Sequence, residues 1–523
     1  MKTAPFEEGI EPQPATASCQ VEDFGIAPQN CLGGEPLSPC IIIIFGASGD
    51  LTFRKLIPAL FRLHCNMGLP HPIRIVGCAR TPMDDGEFRE SLKTGVLAGG
   101  VHDVSCWDAF AACVRYRPLE YLDPGDYRLL ARYLEELDEE SGTQGNRIFY
   151  LAVPPALYET VSRCLGAAGL AQEGMDGKRW SRIVVEKPFG RDLESAAVLD
   201  RVLHENFLEH QVFRIDHYLA KETVQNVLML RFANSIFEPV WNRQFIEKVK
   251  IIAAETLGVG KRAGYYEEAG VLRDMFQNHM MQLLSLTAME PPSHFETELV
   301  RDEKSKVFRA LRPFPVEQLY EFLVSGRYEA GIVDGARVPG YLEEPGVSSG
   351  SLTPTFASMK VFIDNWRWQG VPFYLTSGKR LAKKLTEIQI HFREVPHSIF
   401  RHVIGQRIHK NVLTLGIHPD EKISLVFQTK NPGATLRLRP VTMDFHYSQN
   451  YAGPLLDAYE KALIDCMRGD QMLFWRQDAV ELTWSFLSPI LERCETCTDR
   501  SRMIFPYEAG TWGPAEASRL EEG

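Results

Sequence analysis

Nine consecutive residues, Arg214-Ile-Asp-His-Tyr-Leu-Ala-Lys-Glu222, gather acidic, imidazole, phenol and cationic groups in a span where an ordinary strand or helix has no use for them all. Such a set suits an anionic, hydroxyl-rich ligand, because cations and strong donors meet the anion while carboxylates accept from hydroxyls. A second constellation is the apolar run Cys40-Ile-Ile-Ile-Ile-Phe45 broken by Gly46-Ala-Ser-Gly49, after which Asp50-Leu-Thr-Phe-Arg-Lys55 opens a helical pattern with Leu56, Leu60 and Leu63 on one face. Strand, glycine turn and helix in that order suit a pyrophosphate: amides at the helix start point at it and the glycines let it approach. By itself the spacing G-x-x-G is equally compatible with a tight structural turn. The next apolar run, Ile73 to Ala79, ends at Arg80, where an NAD enzyme places an acidic residue for the ribose hydroxyls. A cation there favours a 2′-phosphate and hence NADP.

A third group lies in Val271-Leu-Arg-Asp-Met-Phe-Gln-Asn-His-Met-Met-Gln-Leu-Leu284, a largely apolar helical pattern interrupted by Asp274, Gln277, Asn278, His279 and Gln282. Polar groups in a buried helix demand partners or a cavity. Histidine titrates in the range a general base needs, which makes His279 a candidate, although a single helical histidine, taken alone, reads as a satisfied core residue. At about 100° per residue, Asp274 and His279 stand roughly 140° apart around an α-helix. The carboxylate that orients His279 should therefore come from elsewhere. Lys187 follows a strand pattern and precedes Pro188, a place from which its amine reaches both a reacting hydroxyl and a cofactor; the plain alternative is a surface pair with Glu186.

The elements that must position these residues divide the chain. With 523 residues it is too long for one compact core. Residues 1–38 carry no apolar periodicity and read as a flexible tail. From 39 to 215, short β-rich runs at Ile41–Phe45, Ile73–Ala79, Arg147–Val153 and Arg182–Val185 alternate with helical patterns, as in a doubly wound parallel Rossmann sheet. From 216 to 512 longer runs alternate polar and apolar residues, as half-buried antiparallel strands do. The fold class expected is α/β followed by α+β, with a short C-terminal tail at 513–523. Hydrophobic content of 45% and charged content of 24% are ordinary for a globular protein, and a net charge of −11 argues against nucleic acid or an anionic membrane as partner. No apolar run approaches a membrane span. Eleven scattered cysteines with no signal-peptide pattern ahead of them fit a reducing cytoplasm. Cys494-Glu-Thr-Cys497 lacks a second pair or a nearby histidine to make a metal site, so no metal is expected.

Taken together, Gly46-Ala-Ser-Gly-Asp-Leu51, Glu186-Lys-Pro-Phe-Gly190 and Arg214 to Glu222 resemble the glucose-6-phosphate dehydrogenase family. The likeness extends through Arg231-Phe-Ala-Asn234, Gly264-Tyr-Tyr266, Arg273-Asp274, Gln277-Asn-His279, Val300-Arg-Asp-Glu-Lys304 and Val371-Pro-Phe373, and covers roughly residues 39–512. The resemblance implies oxidation of D-glucose 6-phosphate at C1 to 6-phospho-D-glucono-1,5-lactone with NADP reduced, the first step of the oxidative pentose phosphate pathway. It implies that His279 is the base, that Asp216 orients it, and that Lys187 serves both substrate and cofactor. By the same likeness, His217, Tyr218 and Lys221 hold the 6-phosphate, and Glu255, Asp274, Lys379 and Lys384 meet the sugar. Gly46, Ala47, Ser48, Gly49, Asp50, Leu51 and Arg80 match the positions that hold the family's cofactor. Membership would also imply a large, mainly antiparallel sheet forming the interface of a homodimer or homotetramer.

Two departures stand out. Ala220 occupies a place usually held by glycine in the family, which removes tolerance of positive φ there. The chain also ends soon after Thr511-Trp-Gly-Pro514 without the longer aromatic-bearing tail of members with a second, structural NADP site, so one catalytic NADP site is expected. Two other readings compete: the same fold acting on another hexose phosphate or on a free hexose, which the phosphate cluster disfavours, or using NAD comparably; and a silent sugar-phosphate or redox sensor, which the joint presence of His279, Asp216 and Lys187 disfavours.

Overall fold

The computed structural model describes residues 17–18, 36–216, 222–400, 408–433, 436–447, 456–497 and 500–522. His217, Tyr218, Ala220 and Lys221 therefore lie outside the described residues.

The run Cys40–Phe45 is buried along its whole length because it is the inner strand of a six-stranded parallel sheet covered on both faces. Its alternate residues enter two cores: Ile41, Ile43 and Phe45 face one set of helices, Cys40, Ile42 and Ile44 the other. The spatial order is Val114–Pro118, Ile73–Ala79, Cys40–Phe45, Arg147–Leu151, Ser181–Val185 and Val212–Arg214. The chain leaves Cys40–Phe45 in one direction, then returns to build the other half. The order reverses between Cys40–Phe45 and Arg147–Leu151, and ligands of such sheets bind outside the carboxyl ends at that switch.

The second sheet has ten strands among the described residues, in the order Ala17–Ser18, Leu438–His446, Lys422–Lys430, Val412–His418, Leu385–Phe392, Ile246–Ala254, Phe373–Gly378, Phe356–Val361, Leu323–Glu329 and Ile504–Glu508. Most neighbours are antiparallel, but Ile246–Ala254 and Phe373–Gly378 run parallel with Ala254 opposite Gly378. That pairing brings the two carboxyl ends, and the residues after them, side by side. One apolar core continues from the first sheet through the helix Met281–Ala288 into the second. The later helix Ala458–Arg468 returns to the first sheet, where Ala462, Leu463 and Met467 join its other core.

The helical pattern around His279 departs from expectation. Residues Ala263–Ala288 are nearly continuous helix, interrupted at Gly270 with φ 60° and ψ 177°, but Leu272–Met280 is wound with i→i+5 bonds. Residues five apart then stack on one face. Asp274 and His279 are such a pair, so the angular separation calculated for an α-helix does not apply. Wide turns of this kind concentrate at functional sites.

The glycine turn has a steric cause. Gly46 has φ +83°, and a Cβ there would lie 2.2 Å from Ala152 O, across the switch point. A Gly46→Ala variant should lose about 1–3 kcal/mol of stability, visible as a lower urea midpoint at unchanged slope; an unchanged midpoint would show that the turn yields to a side chain.

Candidate active site

Two strand ends of the first sheet supply the first pieces. Val185 pairs with Arg214, so Lys187, two residues beyond the one, and Asp216, two beyond the other, emerge at the same edge. The widened helix crosses that edge with His279 inward. His279 is 1% exposed and Asp216 3%. His279 Nδ1 lies 2.6 Å from Asp216 Oδ1, and Lys187 Nζ lies 2.8 Å from His279 Nε2. A carboxylate accepts only, so Nδ1 carries the proton and Nε2 presents its lone pair to the lysine ammonium. Burial pulls the His279 pKa below its ordinary value; Asp216 opposes this and Lys187 reinforces it.

Lys187 Nζ also donates to Asp274 O at 3.0 Å and approaches Asp274 Oδ1 at 3.3 Å. One ammonium thus spans the two residues that the i→i+5 winding stacks. Burial alone would raise the Asp274 carboxyl, but Lys187, then Lys379, hold it well below the usual carboxylate range. The second sheet supplies the other wall: Glu255 and Lys379 follow the paired strand ends Ala254 and Gly378, and Lys379 Nζ meets Glu255 Oε2 at 2.6 Å and Asp274 Oδ2 at 4.0 Å. Lys384 is exposed just before the strand Leu385–Phe392 and is not drawn into this cluster.

Near the glycine turn, the Gly46 amide is spent on Cys78 O at 2.9 Å and Tyr121 Oη at 3.0 Å, and Gly49 N bonds Gly46 O at 2.9 Å. The two glycines therefore shape the turn more than they offer donors. The first intrahelical bond runs from Phe53 N to Gly49 O at 3.2 Å, which leaves the amides of Asp50, Leu51 and Thr52 as the orphan donors of the helix start. Ala47 is buried, whereas Ser48 and Asp50 are exposed. Arg80 is exposed at the end of its strand, its guanidinium 5.9 Å from the Tyr121 ring. Orphan amides at a helix start with a cation at the adjacent strand end fit a dinucleotide carrying a 2′-phosphate.

Several neighbours carried no sequence signal of their own. Tyr265 Oη lies 3.3 Å from Asp274 Oδ1; its Gly-Tyr-Tyr motif marked the place but not the task. Trp475 Nε1 lies 3.4 Å from Asp216 Oδ2, a contact no local pattern predicts. Glu186 receives Tyr150 Oη at 2.5 Å, and burial pushes its carboxyl up to about 7 against that bond. It is thus inward, not the surface partner of Lys187. Asp200, His204 and Glu209 come close enough to suggest a metal site, but Arg214 holds both carboxylates, at 2.6 and 2.9 Å. Bonds to Asp200, then Glu209, raise His204 to about 10, so it is an imidazolium in an ion-pair network.

Matches to known proteins agree with this geometry. Residues 43–226 match the NAD binding domain of glucose-6-phosphate dehydrogenase and residues 228–523 its C-terminal domain. The chain belongs to the glucose-6-phosphate dehydrogenase family. It is 46% identical over 481 residues to the glucose-6-phosphate 1-dehydrogenase of Aggregatibacter actinomycetemcomitans, covering 92% of this chain and 95% of that one. The Bacillus subtilis enzyme of the same name is 40% identical, with 92% and 96% covered. Among solved structures, a glucose-6-phosphate dehydrogenase in complex with its substrate glucose-6-phosphate superposes with a TM-score of 0.85 at 34% identity, covering 94% of this chain and 98% of the other. The α/β plus mainly antiparallel fold expected from the sequence is the fold of this family.

An imidazole 15N titration should place the His279 transition below 6.5 in the wild type and move it upward in Lys187→Met, since the ammonium that repels the imidazolium is gone. A wild-type transition at or above that value would contradict the neutral imidazole inferred from the geometry.

Proposed function

We propose that this protein oxidises D-glucose 6-phosphate at C1 to 6-phospho-D-glucono-1,5-lactone while NADP is reduced to NADPH. The observation that carries the reading is the chain Asp216–His279–Lys187, with His279 Nε2 unprotonated and 2.8 Å from a cation at the sheet edge where the nucleotide turn opens. A C1 hydroxyl inserted between the two donates its proton to His279 Nε2 and accepts from Lys187 Nζ. NADP, when bound, supplies the acceptor for the hydride that leaves C1. As the imidazolium forms, Asp216 bonds its Nδ1–H and stabilises the new charge. Asp274, Glu255, Tyr265 and Lys379 then hold sugar hydroxyls, and Lys187 keeps the oxygen aligned.

We assign the 6-phosphate to His217, Tyr218 and Lys221 because a dianion needs charged or strong donors converging from one segment; the family likeness also assigns Lys384 to the substrate, although it stands exposed and outside the Lys379 cluster. Arg80 takes the 2′-phosphate. The same proposal sets the protein in the reducing cytoplasm, supported by free thiols at every described cysteine. It makes the protein a homodimer or homotetramer, supported by the half-buried outer strands Lys422–Lys430 and Leu438–His446, whose wide face suits a second copy.

Purified protein should form NADPH only when glucose 6-phosphate is present; no turnover under those conditions sinks the proposal. His279→Asn should lower kcat by about 10²–10⁴-fold with KM near the wild-type value, whereas a raised KM at intact kcat would reassign His279 to binding. Because the His279 pKa is depressed, kcat/KM should be full above it and fall as pH drops through it. Arg80→Ala should raise the KM for NADP by about tenfold, the worth of one charge-assisted bond, and leave that for NAD unchanged.

A further inference from the structure

Lys304 closes the motif Val300-Arg-Asp-Glu-Lys304, to which the proposed reaction gives no task. It lies in the helix Thr297–Arg309, is 2% exposed, and its Nζ is buried without a hydrogen-bond partner. An ammonium in that state is strongly destabilising unless another charge compensates it. The helix face that carries it leads to Asp216. Phe308, one turn further on, stacks against Trp475 with ring centroids 5.8 Å apart and planes 16° from parallel. Trp475 in turn bonds Arg214 O through its backbone amide at 3.2 Å and points its indole N–H at Asp216 Oδ2. Residues four apart share a helix face, so Lys304 stands beside Phe308 on the side turned to the dyad.

The charges that act on Lys304 are few among the described residues. They are Arg301 on its own helix, Asp216 two residues past the strand Val212–Arg214, and Arg476 just ahead of the helix Gln477–Thr496. Arg301 is already held by Glu298, Glu209 and Gln471, and Arg476 by Glu298, Asp302 and Asp478. Asp216 is the one attractive partner in the set. Burial, then Arg301, pulls the Lys304 pKa down to about 7, and Asp216 resists. On the other side of the dyad, Lys187 and Asp274 act on His279 with opposite signs.

We propose that Lys304 is a positioning residue of the dehydrogenation, supplying the buried positive charge that offsets Asp216 and so limits how strongly that carboxylate draws a proton onto His279. It touches no reacting atom. A carboxylate next to an imidazole raises its pKa, and a neighbouring cation reduces that pull. With Lys304 in place His279 stays neutral and ready at lower pH than Asp216 alone would permit. The inference rests on the reading of His279 as the base.

The test is the pH profile of kcat/KM for glucose 6-phosphate in the wild type, Lys304→Met and Lys304→Arg, with thermal unfolding of each. Methionine keeps the apolar stem and removes the charge, so Tm should stay level or rise, while the acidic limb moves to higher pH by about one unit. Arginine restores the charge and should bring the limb back toward the wild type. A limb that stays in place in the methionine variant overturns the proposal whatever happens to kcat or Tm. An equal displacement in the arginine variant overturns it too, since shape and not charge would then be responsible. If the methionine variant does not fold, Lys304→Gln carries the same comparison. Lack of wild-type turnover would instead remove the dehydrogenase reading itself, which keeps the two failures apart.

Discussion

A buried imidazole serves as a base only if its proton is fixed on one nitrogen and its other nitrogen stays bare, and both conditions are met here by a buried carboxylate and a half-buried ammonium. Asp216 takes the Nδ1–H and Lys187 faces Nε2. Neither charge would be tolerable alone at this depth. Asp216 has His279 and the Trp475 indole; Lys187 has Asp274; Asp274 has Tyr265 and lies near Lys379; Lys379 has Glu255. The arrangement is a linear relay in which a neutral imidazole separates Asp216 from the alternating charges of Lys187, Asp274, Lys379 and Glu255, so loss of one member leaves its neighbours less compensated.

That chain requires pieces from both halves of the protein, and the fold provides them through strand ends. Lys187 and Asp216 leave the parallel sheet at adjacent carboxyl ends, whereas Glu255 and Lys379 leave the larger sheet at a parallel pair within an otherwise mainly antiparallel array. The helix between the sheets supplies Asp274 and His279, and its i→i+5 winding is what allows one ammonium to meet both. A regular α-helix would turn them apart. The wide turn is tolerable because its apolar residues, Leu272, Met275, Phe276 and Met280, are packed in the shared core.

A second set of charges locks the halves without entering the chemistry. Arg214, the first residue of the nine-residue stretch, binds Asp200 and Glu209. Glu209 also binds Arg301, which reaches Gln471. The strand Val212–Arg214, which leads to Asp216, is therefore clamped to the helix that carries Lys304 and to the segment that carries Trp475. Small displacements at the dyad are resisted by an ionic network whose arginines, Arg214 and Arg301, are buried while Glu209 between them is partly exposed.

Local pattern made much of this legible. The buried strand Cys40–Phe45, its glycine turn and the alternation of strands with helices are consequences of periodicity, because burial on two faces leaves a continuous apolar run and a phosphate turn needs small residues. The residue types of the site were also readable, since Asp216, His279, Lys187 and Arg80 are polar groups placed at strand ends or in an apolar helix without structural need. The winding of Leu272–Met280 was not readable: apolar spacing is compatible with either helix, and only packing selects the wider one. The inward turn of Glu186, the indole on Asp216 and the unpartnered Lys304 likewise depend on contacts between segments far apart in the chain. Sequence alone determined which chemical groups the protein owns and which strand ends present them. Tertiary structure alone decided which charges face one another, because distance and desolvation, the two quantities that set an electrostatic interaction, do not exist until the chain is folded.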